Sequence, residues 1–181
     1  MTTITLSPDD LADLASFETV EFDNGYSLRL VEEPDHNSDI NDYDCYGKVS
    51  WCVRNPWTGY ISNRPDDYDG MAEIVRTYNG EGAWWQPPAD LREHWYTDTT
   101  LQRTLRNTVR EILDYGFKTL ILEVLKGKDA YGGHIVVAYT SVSGVEPLLE
   151  RADIVSLIQD MVCEIDYDFP EQDSSSETVY F

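Results

Sequence analysis

The chain reads as an α+β protein: a largely antiparallel sheet with two to three helices packed on it. Three observations predict this. Apolar segments come in close pairs around short turn sequences, at 19–31 and 118–142, as hairpins do. Helical periodicity is confined to three stretches, near residues 8–16, 99–115 and 147–165. Helix and strand also fail to alternate regularly as a parallel sheet requires, and the back half reads αββα. The length of 181 residues suits a single domain over 1–173, with an acidic loop at 32–45.

Ser7-Pro8-Asp9-Asp10 supplies an N-cap, a proline for the first helical position and acids for the first turn, opening a helix to about Ser16. Leu11, Leu14 and Ala15 form its apolar face. Thr19–Phe22 and Tyr26–Val31 flank Asp23-Asn24-Gly25, a hairpin signal whose Asn-Gly pair suits a turn with two positive φ angles. Glu32–Asp44 carries six acids and no Lys or Arg, and is expected to be an exposed loop. Tyr46–Arg54 reads as a strand with Val49, Trp51 and Val53 on one face, followed by a turn at 55–59 and a return at Tyr60–Ser62. Met71–Tyr78 fits either helix or strand, and Gly80, Gly82, Pro87 and Pro88 interrupt what surrounds them.

Thr99 and Gln102 form a capping box for a helix whose stripe is Leu101, Leu105, Val109, Ile112 and Leu113, ending at Gly116. Lys118–Lys126 is a strongly apolar strand. Ala130–Gly133 turns the chain, and His134–Val142 returns antiparallel. Pro147 opens a last helix to about Ile165, burying Leu148, Val155, Ile158, Val162 and Ile165. Ser174–Phe181 reads either as a tail or as a serine spacer with a cleaved protease site, and enters no functional argument.

Charge is the dominant functional signal. Residues 1–44 hold 12 Asp/Glu against one Arg, residues 45–128 hold 11 acids and 11 bases, and residues 129–181 hold 11 acids against one Arg. The whole net charge of −21 therefore sits at the two ends. Such a charge steers cationic partners and repels nucleic acid and anionic membranes. The basic footprint of a nucleic-acid binder is missing. There is no secretory leader pattern and no apolar run near 18 residues, so the expected setting is cytoplasmic. Cys45, Cys52 and Cys163 are odd in number and match no zinc spacing; three reduced thiols are expected, with a Cys45–Cys52 bridge disfavoured in that compartment.

Catalytic signatures are few. His36, His94 and His134 show no ligand spacing, and no nucleophile elbow, zincin motif or phosphate loop occurs. Asp35-x-Asn37-x-Asp39-x-Asn41 begins as a calcium loop does, with oxygen ligands at alternate positions. It then fails, with Ile40 where a turn glycine belongs and Tyr46 where a bidentate Glu belongs. Asp35, Asn37 and Asp39 remain as a weak cation site, and Asp66, Asp67 and Asp69 are read either as ligands or as turn residues. No cofactor is implied.

All five tryptophans lie between Trp51 and Trp95. Trp51 and Trp57 read as core. Trp84 and Trp85 cannot share a strand face, so at least one is expected to meet a loop, a ligand or a partner. Arg103, Arg106 and Arg110 line one side of a helix and are expected to pair with the chain's own acids.

Four strings occur together: Arg64-Pro65-Asp66 with Asp69-Gly70, Trp84-Trp85-Gln86-Pro87-Pro88-Ala89-Asp90, Leu113-Asp114-Tyr115-Gly116-Phe117, and Asp129-Ala130-Tyr131-Gly132. In this order they resemble proteins of no assigned activity from actinobacteria and their bacteriophages, over roughly residues 46–145. The resemblance implies a phage or mobile-element setting and brings no reaction and no site.

The sequence thus points to a non-enzymatic acidic binding protein that occupies a basic, nucleic-acid-binding surface of a host protein, as a DNA mimic would. Its contact residues would be Glu32, Glu33, Asp35, Asp39, Asp42, Asp44, Asp160, Glu164, Asp166 and Asp168. The alternatives are a module docking through Trp84 and Trp85, and a small metal-dependent enzyme.

Overall fold

The computed structural model describes residues 5–53, 58, 62–91, 95 and 97–165. Its elements are α1 (Pro8–Leu14), β1 (Val20–Glu21), β2 (Tyr26–Pro34), β3 (Lys48–Trp51), β4 (Glu73–Arg76), β5 (Gly82–Gln86), α2 (Thr99–Tyr115), β6 (Lys118–Lys128), β7 (His134–Val145) and α3 (Arg151–Glu164). The fold is α+β with two antiparallel sheets, ordered β1-β2-β6-β7 and β3-β5-β4. The expected span of 1–173 forms two compact units. Unit 1 comprises residues 1–34 and 118–181; unit 2 comprises residues 35–117. Of the expected turn at 55–59 only Thr58 is described, and Trp57, Asp166, Asp168 and the tail lie outside the described residues.

Unit 1 is a four-stranded sheet with α1 and α3 on one face. Alternation along β2 and β6 sends Leu28, Leu30, Leu120, Leu122 and Val124 into that face, all at 2% exposure or less. Leu11 and Leu14 of α1 and Ile158 and Met161 of α3 close over them. Each such side chain contributes roughly 1.5–3 kcal/mol by leaving water. The α1 terminus is built as expected: the Ser7 side chain accepts the Asp10 N–H, and the Asp10 carboxylate accepts the Ser7 N–H at 2.8 Å.

The first hairpin forms, but by a different turn. Phe22 N–H donates to Tyr26 O, and Gly25 N–H donates to Phe22 O, which makes a three-residue loop. Only Gly25, at φ 79°, takes a positive angle. Asn24 instead uses its side-chain oxygen to accept the Tyr26 N–H at 3.1 Å. The loop expected over 32–44 is also partly strand. β2 continues through Pro34, paired to Lys118 of β6, so the backbone of Glu32 and Glu33 joins a ladder despite their exposed side chains. The last helix begins at Arg151 rather than Pro147. The Glu150 carbonyl accepts the first turn's N–H groups, and Leu148 is 61% exposed rather than buried.

In unit 2, α2 packs on the three-stranded sheet. Asp98 caps it, accepting the Thr100 and Leu101 N–H groups, while Gln102 donates to Trp95 O instead of completing a box with Thr99. Val109 and Ile112 are buried, with Leu105 and Leu113 beside them. β4 resolves the ambiguity at 71–78 in favour of a strand, and Gly82 is tolerated within β5. The expected core role of Trp51 is overturned: it is 50% exposed and Val53 is 73% exposed. The register explains why. Val49 lies opposite Trp85 and Trp51 opposite Ala83, so Trp85 fills the middle of the shared face and Trp51 overhangs its end.

Candidate binding surfaces

Some acids from each chain end lie on the helical layer of unit 1, Asp9 and Asp13 on α1 and Asp153, Asp160 and Glu164 on α3. α1 derives from the N-terminal third and α3 from the C-terminal third, and the two helices pack together on one sheet face. On their outer side Asp9, Asp13, Glu150, Asp153, Asp160 and Glu164 are exposed, and none forms an ion pair with a described residue. Arg151, the one cation of the layer among the described residues, donates to the Ala12 carbonyl. By sequence count unit 1 holds 20 acids and 5 bases, net −15, and unit 2 holds 14 acids and 8 bases, net −6.

Several of these carboxylates oppose the local electrostatics. Asp9 and Asp13, and again Asp160 and Glu164, stand at i, i+4, where like charges cost about 0.2–0.5 kcal/mol per pair. Asp160 and Glu164 also lie toward the negative end of the α3 dipole, and the last turn holds no base. Helical stability would place lysine or arginine there.

Between the two helices runs an apolar groove of about 510 Å³. Leu6, Pro8, Leu11 and Ala12 form one wall, and Ala152 and Val155 the other. Arg151 and Gln159 are the polar lining residues. The exposed rows next to these walls are Asp9 and Asp13 on α1, and Asp153 and Asp160 on α3.

The remaining candidate residues are distributed differently. Glu32 and Glu33 end β2 in unit 1, and Glu32 accepts an ion pair from Lys118 at 2.8 Å. Asp35, Asp39, Asp42 and Asp44 belong to unit 2, where most of their side chains knit local backbone. Asp35 Oδ1 accepts the Asn37 and Ser38 N–H groups. Asp39 Oδ1 accepts the Asn41 N–H, and Asp42 Oδ2 accepts the Asp39 N–H, capping a 3-10 turn around buried Ile40. The calcium-like string is therefore a pair of caps. Among the described residues no group of three or more His, Cys, Asp or Glu side chains converges on a point that could hold an ion, including Asp66, Asp67 and Asp69.

The tryptophan pair offers no open patch. Trp85 is fully buried against Trp95, and its indole N–H donates to Tyr46 O at 2.7 Å. Trp84 is half-buried and donates to Ser62 O at 3.0 Å. Among the described residues, the exposed aromatics of unit 2 are instead Trp51, Tyr78 and Tyr115. Of the arginine row only Arg106 is seen to pair with an acid, and Arg103 is exposed. Arg106 holds Glu73 in a two-bond fork at 2.8 and 2.9 Å, and Arg110 lies over the Tyr78 ring.

Two titratable groups are displaced from their ordinary values. Burial raises the Cys52 thiol above 9.0 despite opposing hydrogen bonds, and burial, with help from the Asp67 charge, raises the Tyr68 hydroxyl above 10.0. All three cysteines are free. No helix among the described residues is long and apolar enough to cross a membrane.

The sequence argument did not single out Asp9, Asp13, Glu150 or Asp153 as contact residues, because Asp9 read as a helix-start signal and the packing of α1 on α3 has no local signature. Comparison with protein-family models, with curated proteins and with solved structures finds no match.

Proposed function

We propose that this is a non-enzymatic acidic binding protein that engages a cationic surface of another protein through the α1/α3 layer. The observation that carries this reading is the placement of Asp9, Asp13, Asp160 and Glu164. They form like-charge pairs, two of them at the wrong end of a helix, with no described cation to answer them. Departures of this kind from what a helix favours concentrate where function requires them. A cationic partner relieves both penalties at once.

A duplex mimic is the specific form of this reading. B-DNA carries about two phosphates per base pair, so a net charge of −15 on unit 1 equals that of roughly seven base pairs. Asp160 and Glu164 carry over from the sequence argument, joined now by Asp9, Asp13, Glu150 and Asp153. Asp35, Asp39 and Asp42 are assigned to loop architecture instead.

The test is binding to a panel of basic DNA-binding proteins, followed by fluorescence anisotropy. Between ionic strengths of about 0.01 and 0.1 M, where the screening length falls from about 30 to 10 Å, affinity is expected to drop steeply. A 20-base-pair duplex is expected to compete. Binding that ignores salt, or that survives neutralisation of Asp13, Asp153, Asp160 and Glu164 together, would overturn the reading.

A further inference from the structure

We infer that the groove between α1 and α3 receives a cationic amphipathic helix, whose apolar side chains enter the groove while its lysines or arginines meet the carboxylates on either rim. This rests on the acidic-surface reading above and adds a partner class to it.

Three features carry the inference. First, the groove is apolar where the surrounding surface is densely charged. Its apolar lining is Leu6, Pro8, Leu11, Ala12, Ala152 and Val155, its polar lining is Gln159 and Arg151, the latter tied to the Ala12 carbonyl, and its volume of about 510 Å³ lies within the range of about 300–1,000 Å³ typical of binding pockets. Second, each helix contributes an alanine to the lining, Ala12 and Ala152, and such small side chains leave room for the anchors of a helix at i, i+3/i+4 and i+7. Third, both rims carry the same sign. Asp9 and Asp13 directly follow the lining residues Pro8 and Ala12, and Asp153 and Asp160 follow Ala152 and Gln159, each exposed and without an ion-pair partner among the described residues. An apolar trough between two anionic rails complements a helix with one apolar stripe and cations on both flanks. An anionic or purely apolar partner would leave four carboxylates desolvated without compensation.

The test uses the full chain and two synthetic probes of equal charge. One is an 18-residue leucine–lysine peptide (about five turns) with leucine at helical spacing; the other is an oligolysine without an apolar stripe. Titration calorimetry is expected to show at least tenfold tighter binding of the leucine–lysine peptide, with its circular dichroism turning helical on binding. Ala152→Phe, which fills the groove from an exposed helix position, is expected to abolish that advantage and leave oligolysine binding unchanged. Ala12→Phe repeats the test from the opposite wall if the first variant lowers the melting temperature.

Equal binding of the two probes, or an advantage that survives both fillings, overturns the groove assignment while the acidic-surface reading stands. Failure of both probes to bind at low salt overturns the two together. Saturable binding of dodecyltrimethylammonium below its micelle concentration, without peptide binding, would mark a small-amphiphile site and also overturn the assignment.

Discussion

The backbone N–H of Asp35 donates to the carbonyl oxygen of Phe117 at 2.9 Å, one step beyond the Pro34–Lys118 pair that ends the β2–β6 ladder. The 35–117 segment thus leaves and rejoins unit 1 at neighbouring points on adjacent antiparallel strands. A hairpin turn would normally occupy this position. Replacing residues 35–117 with an Asn-Gly turn should therefore leave unit 1 folded. Amide-exchange protection of Leu28, Leu30, Leu120 and Leu122 measures the outcome, and loss of protection there would contradict it.

Gly47 is held at φ 82°, ψ −150°, a region in which side-chain-bearing residues are rarely found, and a Cβ would run into the Gln86 backbone carbonyl. Gly47→Ala should destabilise the protein by at least about 1–3 kcal/mol from backbone strain. Gly25→Ala, with open space around its Cβ, should cost less. Paired urea melts compare them.

Trp85→Ala should cost about 3–5 kcal/mol, because it removes a fully buried indole together with its hydrogen bond to the Tyr46 carbonyl. Trp51→Ala should cost about 1 kcal/mol or less, as a half-exposed side chain at a strand end. Reversal of that order would show that the two indoles have been assigned to the wrong environments.

Cys52 should alkylate more slowly than Cys45 and Cys163. Burial raises its pKa, so at mildly alkaline pH a smaller fraction is the reactive thiolate; the other two thiols are exposed. Iodoacetamide labelling followed by peptide mass spectrometry gives the order, and the gap should narrow as pH rises through the ordinary thiol value.

Asp160→Asn with Glu164→Gln should stabilise α3 while weakening association with cationic partners. Relief of like-charge repulsion is of order 0.2–0.5 kcal/mol and relief of the unfavourable dipole contact of order 0.3–1 kcal/mol, both reduced by exposure. A melting temperature that falls, or binding that does not, would contradict the proposed use of these residues.

Local chemistry made much of the fold legible. Ser7-Pro8-Asp9-Asp10 encodes its own cap, the stripe from Leu101 to Leu113 encodes α2, and the apolar run from Lys118 encodes β6. What escaped was set by distant pairing. Glu32 and Glu33 have a loop's composition, yet β6, lying beyond the whole of unit 2, gives their backbone a ladder. Strand parity shows that Trp84 and Trp85 face opposite ways, but which one turns inward depends on the register with β3. The acidic layer was half visible. Each end announces its charge, and only the packing of α1 on α3 turns two charged segments into one rimmed groove.

The same insertion sets an order of events during synthesis. When β2 emerges from the ribosome its principal neighbour has not been translated, and apart from its short pairing with β1 it waits until β6 appears. Unit 2, contiguous in sequence, can close in the meantime. A released chain ending near residue 117 should accordingly carry a finished second unit behind an N-terminal arm still waiting for its mate.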